Sequence, residues 1–180
     1  PVMFGKPGWR ARYYKVRFGA TDQTLESVAK DVAREYVRGI AWSWKYYRDG
    51  VPDWTWQYPY LYPPMLGDLL EELKRTDFRK IHFALHKPMK PSIQLTCVLP
   101  RFSACFLPER YRELQTGALS DLVPETFEED ETHARLRWQT IPILPRLDLD
   151  RVLEACRGLE LTPGERKRDR GRRNLWISIN

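Results

Sequence analysis

A chain of 180 residues can hold one domain with a core of its own, or one part of a larger domain that closes elsewhere. Its 30 Lys and Arg against 24 Asp and Glu leave a net charge of +6 and a pI near 9.3, a balance that favours polyanionic partners. Cys97, Cys105 and Cys156 form neither a CxxC pair nor an even framework, which argues against zinc and disulfide staples and fits an intracellular, reducing compartment. No apolar run approaches the roughly 20 residues of a membrane span, so no membrane partner is expected. The chain opens on Pro1 and ends just beyond the apolar Leu175-Trp176-Ile177 run, and is read as a fragment of something longer.

In chain order, residues 1–20 form a basic aromatic lead in which Trp9 to Phe18 can make a short helix. Thr24 is placed to cap a long helix whose stripe, Leu25, Val28, Val32, Tyr36, Val37 and Ile40, recurs at three- and four-residue spacing. This main helix, 24–48, ends at Asp49-Gly50, and Val51-Pro52 cannot continue it. The aromatic and proline segment 50–68 holds Pro52, Pro59, Pro63 and Pro64, which pin the backbone near extended angles; on a strand, Trp54, Trp56 and Tyr58 would share a face.

Beyond it, Asp68 to Lys74 reads as a short helix and Ile81 to Leu85 as a brief strand, while Ile93 to Leu99 is too short to classify by periodicity. Residues 109–115 read as helix, 121–133 as an acidic loop, Arg137 to Leu144 as a strand entering a Pro142/Pro145 turn, and Asp148 to Arg157 as a helix ending near Gly158. The fold class is α+β, helix-rich, with long proline-pinned irregular segments that need a neighbouring surface, which suggests part of a larger parent domain rather than an independent fold.

The densest signal lies between Tyr36 and Pro64, where four of the seven tryptophans and six of the nine tyrosines alternate with basic residues. Flat aromatic surfaces stack on bases, and Lys45 and Arg48 among them suit a phosphate backbone. Tyr36, Trp42 and Tyr46 fall at helical spacings and are expected in a core. Trp54 and Trp56 are either packing anchors or base platforms, and the residues by themselves favour packing. Glu71-Glu72, Glu128 to Glu131, and Asp148 with Asp150 read as solvated or capping acids, so no metal site is assigned and no catalytic residue is found. His82 and His86 would pair on a metal only if helical, and the cysteines read as small core residues. The basic run Glu165 to Arg173 is either an RNA-binding or nuclear-address segment or a solvated face.

The Trp9-Arg-Ala-Arg-Tyr-Tyr-Lys15 block, the Tyr36-Val-x-Gly-Ile-x-Trp helix, Gly50 to Pro64 with Gly67-Asp68, Lys87 to Pro100, Leu107-Pro108 with Tyr111, and Arg137 to Pro145 followed by Asp150 to Ala155 and Glu165 to Arg168 resemble, in order and spacing, the second conserved region of the eukaryotic 5′→3′ exoribonucleases, the XRN family. The resemblance spans nearly all of residues 1–180. It implies part of a larger α/β nuclease domain, and a processive exoribonuclease acting on single-stranded RNA with a 5′-monophosphate, with Mg²⁺ held by carboxylates of an N-terminal catalytic region that lies outside this chain. That region becomes the expected protein partner, and the cytoplasm or nucleus the expected compartment. The resemblance further implies an aromatic stacked on the terminal bases, Trp54 or Trp56, which reverses the balance between packing and stacking for that pair.

Leu61 stands where the family's YPYHYAP motif has His, Pro63 where it has Ala, and Met89 and Ser92 where its KPFKPF segment has phenylalanines. A divergent member is therefore expected. Two readings stay open: the substrate-facing region of an active exoribonuclease, or an RNA-binding or scaffold element of an inactive relative.

Overall fold

The computed structural model describes residues 2–132 and 134–170, and these divide into two compact units that meet in sequence at Lys87 and Pro88. Helix dominates both. No helix among the described residues is long and apolar enough to cross a membrane.

The first unit holds α1 (Trp9–Phe18), α2 (Leu25–Asp49) and α3 (Leu66–Arg75), with α2 packed on both others. Gly19, at φ 65°, ends α1 in the left-handed region, and its N–H returns to the Tyr14 carbonyl. Thr24 occupies the cap position of α2, but its hydroxyl exchanges hydrogen bonds with Thr21 rather than with the helix's own amides. The buried line of α2 is Leu25, Ala29, Val32, Ala33, Val37 and Ala41, so small residues carry much of the face and Ile40 is turned outward. Around that line, Tyr13, Tyr14, Phe18, Tyr60 and Tyr62 pack edge to face.

Residues 51–65 form no regular ladder, so their backbone acceptors need partners from elsewhere. Aromatic side chains supply them. The Tyr13 hydroxyl donates to the Pro63 carbonyl at 2.6 Å, the Tyr58 hydroxyl to the Tyr62 carbonyl at 2.9 Å, and the Trp42 indole N–H to the Asp53 carbonyl at 3.0 Å. The Met65 N–H in turn donates to the Tyr14 hydroxyl, which donates to Asp68. Arg10 closes this network by bridging Glu26 of α2 and Asp68 of α3, each at 2.7 Å. The two carboxylates hold its guanidinium charged, and Arg10 depresses the Glu26 carboxyl in return.

Ile81 to Leu85 is not a strand. The segment is tied down by side chains instead: Lys45 Nζ donates to the Ile81 carbonyl at 2.8 Å, and the Phe83 ring meets Trp56 edge to face.

The second unit contains α4 (Pro91–Val98), α5 (Glu109–Thr116), β1 (Glu128–Asp130), β2 (Ile141–Ile143), α6 (Leu149–Ala155) and α7 (Pro163–Arg168). The apolar run that periodicity left undecided is thus helix. Pro91 opens it at a position where no N–H is needed, and the Ser92 N–H is satisfied by the buried Asp169 carboxylate at 2.8 Å. Buried Gln115 donates to the carbonyls of Thr96 and Leu99, locking α5 to the end of α4. Leu107, Tyr111, Leu119, Val152 and Cys156 form the core.

Three readings of this half are corrected. The acidic run is not loop throughout, because Glu128 to Asp130 pairs antiparallel with Ile141 to Ile143. The strand expected from Arg137 begins only at Ile141, after a 3₁₀ turn over Arg137–Gln139 whose Gln139 side chain accepts from the Leu136 N–H. Cys105 is exposed rather than a core residue. Asp148 caps α6 by accepting from the Arg151 N–H, as its position before the helix requires. The basic run contributes the last turn of α7 behind a Thr162/Glu165 capping box, and its members from 171 onward lie outside the described residues, as does His133.

Candidate nucleic-acid interface

Immediately after α2, Pro52-Asp53-Trp54-Thr55-Trp56 folds into a turn organised by one carboxylate. Asp53 Oδ1 accepts from the Thr55 N–H at 2.8 Å, the Thr55 hydroxyl at 3.0 Å and the Trp56 N–H at 3.2 Å, and lies 2.9 Å from His86 Nδ1. Burial alone would push this carboxyl up, but the hydrogen bonds from Thr55, His86 and Trp56 outweigh it and hold Asp53 at about 2. Ionised Asp53 therefore clamps the turn from inside.

The turn replaces the extended strand on which Trp54, Trp56 and Tyr58 would have shared a face, and it separates the two indoles. Trp56 packs inward: it stacks on Trp42 with centroids 6.3 Å apart, meets Phe83 at 78°, and lies so close to α2 that a Cβ on Gly39 would sit 3.0 Å from its ring. Tyr58 packs edge to face on Tyr36. Trp54 is 39% exposed and has no ring partner among the described residues.

On α2, Trp42 and Tyr46 stack nearly parallel at 5.4 Å, but Tyr46 and Tyr47 are exposed, so the expected core placement of Tyr46 does not hold. Aromatic spacing on a helix identified the stack without saying that its outer member faces solvent. Lys45 is committed to the Ile81 carbonyl and lies over the Phe83 ring. Arg48 is exposed and forks onto the neighbouring Asp49 carboxylate, which keeps its guanidinium charged.

Sequence reasoning missed Asp53, Gly39 and the placement of His86 beside the turn. Pro-Asp-x-Thr directly after a helix stop is a turn-forming pattern and could have exposed Asp53. Gly39 and His86 act through long-range contacts that leave no local signal. The four departures from the family pattern are accommodated: Leu61 is exposed, Pro63 keeps a carbonyl for Tyr13, Met89 is half-buried, and buried Ser92 uses its N–H on Asp169. Among the described residues, no three His, Cys, Asp or Glu side chains converge as metal ligands.

The model of the Xrn1 helical domain family matches residues 1–179, and the chain belongs to that family. The chain is 38% identical to 5'-3' exoribonuclease 2 of Candida albicans over 98% of its own length, 41% identical to that of Arabidopsis thaliana over 88%, and 36% identical to that of Saccharomyces cerevisiae over 98%. It spans 19%, 16% and 18% of those three proteins.

Proposed function

We propose that this chain is the substrate-facing and scaffolding part of a 5′→3′ exoribonuclease that degrades single-stranded RNA bearing a 5′-monophosphate. Hydrolysis, with Mg²⁺, belongs in this reading to an N-terminal region of the same polypeptide, and the protein works in the cytoplasm or nucleus. The observation that carries the reading is the turn after α2, where a buried carboxylate fixes the backbone so that Trp56 is packed and Trp54 is offered to solvent. A fixed, exposed indole is a stacking platform for bases of any identity, worth about 1–3 kcal/mol per base.

Trp56, Trp42, Phe83 and Lys45 support that platform, and Arg48 is the cation assigned to the RNA backbone. The test is degradation of 5′-phosphorylated single-stranded RNA by the full-length protein. Trp54→Ala lowers turnover by roughly 5- to 160-fold, the range that a 1–3 kcal/mol stacking loss allows, with an unchanged melting temperature. A folded Trp54→Ala protein that degrades RNA at the wild-type rate refutes the stacking role. A wild-type protein that binds RNA without shortening it identifies an RNA-binding scaffold instead.

A further inference from the structure

His86 is bound to both neighbours of Trp54. Its Nδ1 lies 2.9 Å from Asp53 Oδ1 and 2.9 Å from Thr55 Oγ1, so the imidazole and the exposed indole are carried by the same turn. Proton placement follows from the partners. The Thr55 hydroxyl donates to Asp53 Oδ1, and an ionised carboxylate can only accept, so the hydrogen facing Asp53 is carried by Nδ1. In a neutral imidazole with Nδ1 protonated, Nε2 is a bare acceptor. Nδ1 is the ring nitrogen taken up by Asp53 and Thr55, and the His86 side chain as a whole is 49% exposed.

A base stacked on Trp54 brings its own ribose to the same turn. The group that an exposed nitrogen acceptor can take from a ribose is a hydroxyl hydrogen, and the 2′-hydroxyl is the one that DNA lacks. From this geometry, and resting on the stacking role of Trp54, we infer that His86 is a sugar-reading residue: its Nε2 accepts a hydrogen bond from the ribose 2′-hydroxyl of the nucleotide held at Trp54. Asp53 is then a positioning residue twice over, setting the turn that offers the indole and the tautomer that makes the imidazole an acceptor.

The experiment is equilibrium binding of 5′-phosphorylated single-stranded RNA by the full-length protein near pH 8, without divalent metal so that the RNA stays intact. The probes are oligonucleotides with a single 2′-deoxy substitution moved stepwise from the 5′ end. Wild-type protein loses about three- to tenfold in affinity at one position, the value of one ordinary hydrogen bond. His86→Gly, a residue suited to the φ of 21° found there, no longer distinguishes ribose from deoxyribose at that position. His86→Phe, which keeps a ring and removes the acceptor, behaves the same way.

Position-specific sensitivity that survives in folded His86→Gly and His86→Phe overturns the inference, as does a wild-type protein with no sensitive position. Trp54→Ala separates the two claims. If it binds RNA as tightly as wild type, the stacking role fails; if it weakens all the oligonucleotides while the His86 variants keep the deoxy penalty, only the sugar-reading role fails.

Discussion

Asp53 accepts hydrogen bonds from Thr55 and Trp56 and faces His86, and its carboxyl is held at about 2 against an ordinary 3.8. A depressed carboxyl contributes stability that is fully present above its unfolded value and is lost as the pH falls through its folded value. Asp53 therefore stabilises the first unit above about pH 4 and ceases to do so as the pH approaches 2, a difference of about 2 kcal/mol. Urea denaturation between pH 2 and pH 6 checks this: wild type loses stability over that window, Asp53→Asn starts lower near neutrality, and the two curves converge at the acid end. Trp56 gives a contrasting result at the same scale. Trp56→Ala empties the space between Gly39, Trp42 and Phe83 and costs about 2–3 kcal/mol of stability, a loss the melting transition reports and one that Trp54→Ala does not share.

At the scale of elements, α2 is where sequence and structure agree most closely, because its apolar stripe and its Asp49-Gly50 stop are local signals. The same reading misassigned Ile81 to Leu85. That stretch has β-like composition, but Lys45, Trp56 and Arg38 hold it through one carbonyl and the Phe83 ring, and none of these contacts is local. The helix at Pro91–Val98 was illegible for the opposite reason: it shows no clear amphipathic period, and its first amide is satisfied by Asp169, 77 residues away. In the candidate site, the prolines and tryptophans were visible in the sequence, whereas the sorting of Trp54 outward and Trp56 inward depends on Asp53 and on Gly39 across the α2 surface. Gly39 makes that sorting testable. Gly39→Leu drives a side chain into the Trp56 ring and lowers the melting temperature by the equivalent of about 2 kcal/mol, more than the gain in helix propensity of less than about 1 kcal/mol returns.

Across the whole molecule, large apolar side chains face outward in both units: Trp44 and Tyr47 in the first, Phe102, Phe106 and Trp138 in the second. Exposed aromatic surface on that scale marks interaction sites, and the relatives place this region within proteins at least five times its length. The chain alone is accordingly expected to melt broadly, and the rest of the polypeptide, added in trans, to sharpen the transition. A cooperative transition that the addition leaves unchanged contradicts that expectation. The central claim is that this chain faces RNA while hydrolysis belongs elsewhere in the same protein. It is tested most directly by a time course of 5′-phosphorylated single-stranded RNA with Mg²⁺, run with the purified chain and with the full-length protein. The account predicts mononucleotides from the full-length protein and intact RNA from the chain; processive release of mononucleotides by the chain alone would contradict it.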